Sequence, residues 1–392
     1  MKLKRELCAL LRREPRYPVI SNVNGADGST CGRSALLIYL TKPFLLAETD
    51  PAFIRHQNFR QCTQIAAVLG EGGYIVDVMQ KQDTRFVPSR AYDLIISEKL
   101  DWKGLDSYFK ETAVRAFLAT SMNHIVHNRN LRRRHELLSA RRPCHVQVRR
   151  VYPERMPAVA TSDGLIGFGN EFTMSTWKEV FDGPTYPFNN YGFEETVVVS
   201  PNSKDFETAR RHFLFFASRS QVQKGLDLLL EVFPKHPDLH LYVCSTFETE
   251  SDFCACYHEE LFETPSIHPI GFIGANSREF HELVRRCAYV IHPTCSEGQP
   301  GSVVQCMYSG LIPLVTREAG IDTEDFGVTF ADDSLDEIER VVVDLAARPA
   351  KWHRERSIKT RRVAEGGYSE RAFWSRWKEI IAELESLGGP RT

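Results

Sequence analysis

No C-x-x-C pair occurs in this 392-residue chain, although it holds ten cysteines. The familiar zinc-ribbon and dithiol patterns are therefore missing. Several of the cysteines sit in apolar runs, where a thiol packs as a small hydrophobe. The expectation is free thiols in a reducing, cytoplasmic setting, with no metal and no disulfide framework. No run of about 18 apolar residues is present, so no membrane-crossing helix is expected. The N-terminal stretch MKLKRELCALLRREPR breaks its apolar residues with charges and offers no small-residue cleavage site, unlike a secretory leader. Charge of one sign is also missing. With 49 Lys and Arg against 51 Asp and Glu, the net charge of −2 argues against a nucleic-acid partner, which requires a basic surface. G-x4-G-K-[ST] is absent, which excludes a P-loop nucleotidase. Gly167-Phe168-Gly169-Asn170-Glu171-Phe172 begins like a dinucleotide loop but ends on a bulky residue where a small one is needed.

What is present is a strand–helix rhythm. Short apolar runs at Ser34–Leu40, Tyr74–Met79, Tyr92–Ser97 and Ala116–Ser121 read as buried strands, with a helix near Ile54–Leu69 after the first. A second series follows at His212–Ala217, His240–Ser245, Ile267–Ile270, Tyr289–His292, Leu311–Thr316 and Val328–Phe330. Helices are expected between them near Lys224–Phe233, Ser277–Cys287 and Ser302–Ser309. This pattern predicts the α/β class with parallel, doubly wound sheets. The expected organisation is an N-terminal extension over 1–33, a Rossmann-like domain over 34–190 and a linker over 191–211. A second Rossmann-like domain would cover 212–368, and a C-terminal helix over 369–392 would pack back on the N-terminal domain.

Two motifs carry chemistry. Ser218-Arg219-Ser-Gln-Val-Gln-Lys224-Gly225 follows a strand and opens a helix. Two cations at the carboxyl end of a strand can clamp a diphosphate, Arg with a fork and Lys as a point charge. Cys295-Ser-Glu-Gly-Gln-Pro-Gly-Ser-Val-Val-Gln305 follows the strand YVIH. There Glu297 can accept from sugar hydroxyls, glycines let a ligand approach, and a helix start offers free N–H groups. Alone, each motif also reads as surface cations or as a capped polar loop. A third feature is Arg129–Arg150, a run with eight arginines. It would hold an anionic acceptor or acidic lipid headgroups, or else form a solvated face with internal ion pairs.

Taken together, ASRSQVQKGLDLLLEVF, HPIGFI and YVIHPTCSEGQPGSVVQCMYSGLIPLVTREAGID resemble the donor-binding domain of retaining glycosyltransferases of family 4, which have the GT-B fold. The N-terminal half is similar in strand order only, since TKPFLLAETDPAF stands where that family carries a glycine-rich loop. The resemblance implies two Rossmann-like domains facing across a cleft, C-terminal helices crossing back, and transfer with retention and without metal or cofactor. It places the donor diphosphate on Arg219 and Lys224, with Gly298, Gln299, Pro300, Gly301 and Ser302 lining the loop. Glu297 would touch the transferred sugar and Gln305, where the family has Glu, would face the ribose, with Phe272 near the nucleoside. The family's N-terminal histidine is matched to His124 ahead of His127 and His56. The expected partners are a nucleotide-sugar donor and a carbohydrate or lipid-linked acceptor, with peripheral membrane contact through Arg129–Arg150. Gln305 and the missing glycine loop also admit a second reading, a catalytically degenerate GT-B protein that binds a glycan or a partner.

Overall fold

The computed structural model describes residues 20–26, 32–50, 53, 57–83, 87–194 and 200–388. His56, most of the expected extension and part of the expected linker lie outside the described residues. The chain forms two compact units, which divide between Ala116 and Phe117 and again between Glu383 and Leu384.

The first unit is built from β1 (Arg33–Tyr39), α1 (Gln57–Glu71), β2 (Tyr74–Gln80), β3 (Tyr92–Ser97) and the start of β4 (Phe109–Ala119). β1 pairs in parallel with both β2 and β3. It is buried on both faces, as LLIY without alternation requires.

The second unit opens with the end of β4 and holds two strands that the sequence reading missed, β5 (Gly164–Phe168) and β6 (Thr185–Phe188), paired in parallel. GLIGF carries two glycines and TYPF a proline, residues that weaken a strand signal. The order β2-β1-β3-β4-β5-β6 leaves β6 at the edge, where proline is tolerated. Between β4 and β5 lies α2 (His124–Arg141), begun by Asn123, whose side chain accepts from the Ile125 amide. The last helix, α6 (Glu370–Glu385), turns Phe373 and Trp377 onto Phe188, with ring centroids 5.7 and 5.1 Å away.

The second sheet consists of β7 (His212–Phe216), β8 (His240–Cys244), β9 (Ile267–Pro269), β10 (Tyr289–His292), β11 (Ile312–Val315) and β12 (Val328–Thr329), in the order β12-β11-β10-β7-β8-β9. Strands run outward in one direction from β7 and in the other from β10. The topological switch point therefore falls between these two, where ligands of open α/β sheets bind at the carboxyl ends. The single helix expected over Lys224–Phe233 is two, α3 (Gln221–Lys224) and α4 (Leu226–Val232), separated by Gly225 at φ 83°.

The expectation of free thiols is corrected at one pair. Cys144 and Cys256 form a disulfide across 112 residues, with Cα atoms 5.8 Å apart; a separation that long leaves no spacing pattern to read. No described helix is long and apolar enough to cross a membrane.

At the amino ends of β7, β8 and β9, His212 stacks on His240 at 4.7 Å, and His240 Nδ1 meets His268 Nε2 at 3.2 Å. Burial first, then mutual repulsion and Arg286, push His212 down to about 4 and lower His240 and His268, with Asp238 opposing at His240. An unfolded histidine titrates near 6.5. Between that value and about 4 the unfolded chain takes up protons that the fold resists, so stability present at pH 7 is lost as pH falls through this window. Thermal unfolding is expected at lower temperature at pH 5 than at pH 7.5, and His212→Phe should shrink the difference. A flat profile would count against the stack as its source.

Candidate active site

Both motifs lie at the switch point and are hydrogen-bonded to each other. The Gln223 carbonyl in α3 accepts from the Cys295 amide at 2.9 Å and from Thr294 Oγ1 at 3.0 Å, while Gln223 Nε2 donates to the Ser296 carbonyl at 2.6 Å. Gly225 makes this fit possible. A Cβ there would lie 2.7 Å from the Pro293 ring, and its positive φ disfavours any other residue.

The approach brings Lys224 Nζ into an ion pair with Glu297 Oε1. Lys224 is only 6% exposed. Burial, then the guanidiniums of Arg150 and Arg219, push its ammonium well below the usual range. The Glu297 carboxylate compensates part of that burial. His292, the last residue of β10, is fully buried with its Nε2 4.0 Å from Glu297. Neither of its ring nitrogens has a hydrogen-bond partner among the described residues. Burial and Lys224 hold it well below its usual value, so it is neutral. Sequence reading passed over His292 as part of a strand. Its place directly before PTCSE was the available signal.

Arg219 is exposed at the start of the same turn. Ser220 follows at φ 71°, with its amide on Glu250 and its buried hydroxyl without a partner. On the other side of the motif, α5 (Gly301–Tyr308) starts after Pro300 with no side-chain cap.

Gly298 is wedged against the end of β4. A Cβ at this position would lie 2.9 Å from the Thr120 carbonyl, and the Met122 amide donates to the Glu297 carbonyl. Around the Gly298 carbonyl sit Gly169 and Gly320, where any Cβ would strike that oxygen, and Thr173 Oγ1 at 3.4 Å. Gln299 turns away from the loop mouth, accepting from the Asn190 amide at 2.6 Å and donating to Asn189 and to the Gly320 carbonyl.

Gln305 is also turned away. Its Oε1 accepts from the Phe193 amide at 2.7 Å and its Nε2 donates to the Phe193 carbonyl at 3.4 Å. In this geometry the amide grips a backbone from both sides as a neighbouring strand would. Glutamate could accept there but not donate. Phe272 stands exposed in the loop after β9.

Of the histidines, His124 stacks on Tyr152 at 4.2 Å and lies 5.8 Å from Trp177, whereas His127 reaches the motif. His127 Nδ1 is 2.7 Å from Ser296 Oγ and its Nε2 is 2.8 Å from the Arg150 carbonyl. Burial pushes His127 down to about 4, so the ring is neutral near pH 7. The carbonyl can only accept, so Nε2 carries the proton and Nδ1 accepts from Ser296. The structure thus brings His127, rather than the favoured His124, to the residue beside Glu297.

The basic run is mostly spent on internal ion pairs. Arg133 and Arg134 hold Asp333, Arg141 holds Asp227 and Glu231, Arg142 holds Glu260, and Arg149 holds Asp252. Arg129 and Arg132 meet Glu179 and Glu154 at the surface.

Residues 210–348 match the family model described as Glycosyl transferases group 1. A sucrose-phosphate synthase from Thermosynechococcus elongatus is 11% identical, with 90% of this chain and 100% of that chain covered at a TM-score of 0.64. The chain has the GT-B fold, and its likeness to the group 1 glycosyltransferases covers residues 210–348. HepE of Anabaena, solved with UDP and glucose, shares the GT-B fold at 14% identity and a TM-score of 0.57, covering 90% of this chain and 99% of that one. WaaG, a glycosyltransferase of lipopolysaccharide biosynthesis, does so at 11% and 0.52, covering 89% and 99%. Among curated proteins none matches the sequence. The group 1 match covers both motifs, from the strand before Arg219 to beyond Glu318.

Proposed function

We propose that this chain transfers a sugar from a nucleotide-sugar donor to a carbohydrate or lipid-linked acceptor, with retention and without a required metal. The observation that carries the reading is the meeting of Lys224 and Glu297 at the switch point, under an excess of positive charge from Arg219 and Arg150. A diphosphate would satisfy that excess. Negative charge grows on it as the glycosidic bond breaks, so Arg219 and Lys224 would stabilise the transition state more than the ground state. Glu297 would then exchange part of its hold on Lys224 for a sugar hydroxyl. HepE was solved with UDP-glucose, which makes UDP-glucose the first donor to try. Hydrolysis of UDP-glucose, GDP-mannose and ADP-glucose without acceptor should reveal one that is turned over, undiminished by EDTA, and turnover should fall in Arg219→Ala.

A second reading is favoured by Gln305. With the amide kept on Phe193, the site would lack one expected ribose contact, as in a GT-B protein that binds a glycan or partner without transferring. No turnover of any donor, together with no thermal shift from UDP, GDP or ADP, would establish that alternative.

A further inference from the structure

We propose that Arg150 is a third cation of the diphosphate site, held in place by His127 and Tyr152; the inference rests on the nucleotide-sugar reading above. Eight arginines lie between residues 129 and 150. Seven of them meet a carboxylate. Arg150 is the exception among the described residues. Its guanidinium donates instead to Gln223 Oε1 at 3.4 Å and to the Tyr152 hydroxyl at 3.1 Å, both neutral acceptors.

The chain holds Arg150 there against its own preference. Its φ of 62° is left-handed, which a β-carbon disfavours, and the His127 ring fixes the peptide by donating to the Arg150 carbonyl. Strain of this kind persists only where the surroundings over-determine it. The consequence is a guanidinium brought to Gln223, next to Lys224, where it and Arg219 both repel the Lys224 ammonium. Three cations thus share a corner with Glu297, while Glu250 is held by the Ser220 amide and Arg149. Lys224 is the buried member of the three, and like charges beside a buried ammonium are unfavourable without a compensating anion. The corner also contains buried polar groups without partners, the Ser220 hydroxyl and both nitrogens of His292. Such groups are costly unless a ligand completes them. A pyrophosphate group has the charge and the acceptor oxygens to do so, and Arg150 has the fork that matches it. His127 and Tyr152 are positioning residues in this account.

Calorimetric titration with UDP and with inorganic pyrophosphate would test the assignment on the full-length protein, against Arg150→Gln, Arg150→Lys, Arg219→Gln and, as control, Arg132→Gln. Arg150→Gln is expected to weaken both ligands about 10- to 100-fold, Arg150→Lys several-fold, and Arg132→Gln not at all. His127→Phe should produce a smaller loss, seen in KM more than in kcat. The lysine variant carries the test if the glutamine variant does not fold. Unchanged affinity in both Arg150 variants, with a loss in Arg219→Gln, would overturn the role of Arg150 and leave the nucleotide-sugar reading standing. Wild-type protein that binds neither UDP, GDP, ADP nor pyrophosphate would overturn both.

Discussion

Lys224→Ala is expected to lower kcat/KM for donor turnover by about 10²- to 10³-fold, the usual cost of losing one preorganised charge on a developing anion. The loss has two sources that can be separated. The departing diphosphate loses a cation, and Glu297 loses the partner that compensates its position in a nearly closed corner. If the first dominates, Lys224→Ala and the double variant Lys224→Ala/Glu297→Gln should differ in sugar selectivity but not in UDP affinity. If the second does, removing the orphaned carboxylate should restore part of the binding, a coupling that a double-mutant cycle reads directly. UDP-sugar turnover at the wild-type rate in Lys224→Ala would remove the lysine from the mechanism.

The largest effect on stability is expected at Arg134. Its side chain is fully buried, with Nη2 2.9 Å from Asp333 and 3.1 Å from the Pro293 carbonyl, and Nη1 3.8 Å from Asp227. Asp227 is equally buried, and burial pushes its carboxyl up to about 6 despite Arg134 and Arg141. Removing one member of a buried ionic network leaves the others uncompensated, at a cost of about 3–5 kcal/mol. For a unit of this size that corresponds to a fall in Tm of roughly 10 °C. Arg134→Met, which keeps the volume, should remain well below wild type, because the missing element is charge and not packing. A denaturation midpoint within a degree of wild type for Arg134→Met would show that Asp227 and Asp333 are satisfied by Arg133 and Arg141 alone.

Legibility followed the physical signal. The strands of the second sheet announced themselves as short apolar runs, and the cations after β7 and the loop after β10 could be read because strand ends place ligands in this class of sheet. β5 and β6 were hidden because glycine and proline broke their runs. The arginine run read either as a surface for anions or as a face with internal ion pairs, because a sequence shows charges and not their partners; only the fold sets Asp227, Glu231, Asp252, Glu260 and Asp333 opposite them. Arg150 could not have been singled out, since its distinction is a carboxylate it does not meet. The partner of Gln305 was hidden for a related reason. A residue type at a motif position gives its chemistry, whereas its target depended on Phe193, which is remote in sequence.

The two glycines packed on the Gly298 carbonyl bear on how this protein can diverge. A backbone oxygen cannot be exchanged by mutation, so adjustment at this one contact must come through Gly169, Gly320 and Thr173. A methyl group at either glycine would push the same oxygen, and two such changes would act on one displacement instead of two. Substitutions at 169 and 320 should therefore depart from additivity, and lineages descended from this sequence would have to change these positions together or leave both alone.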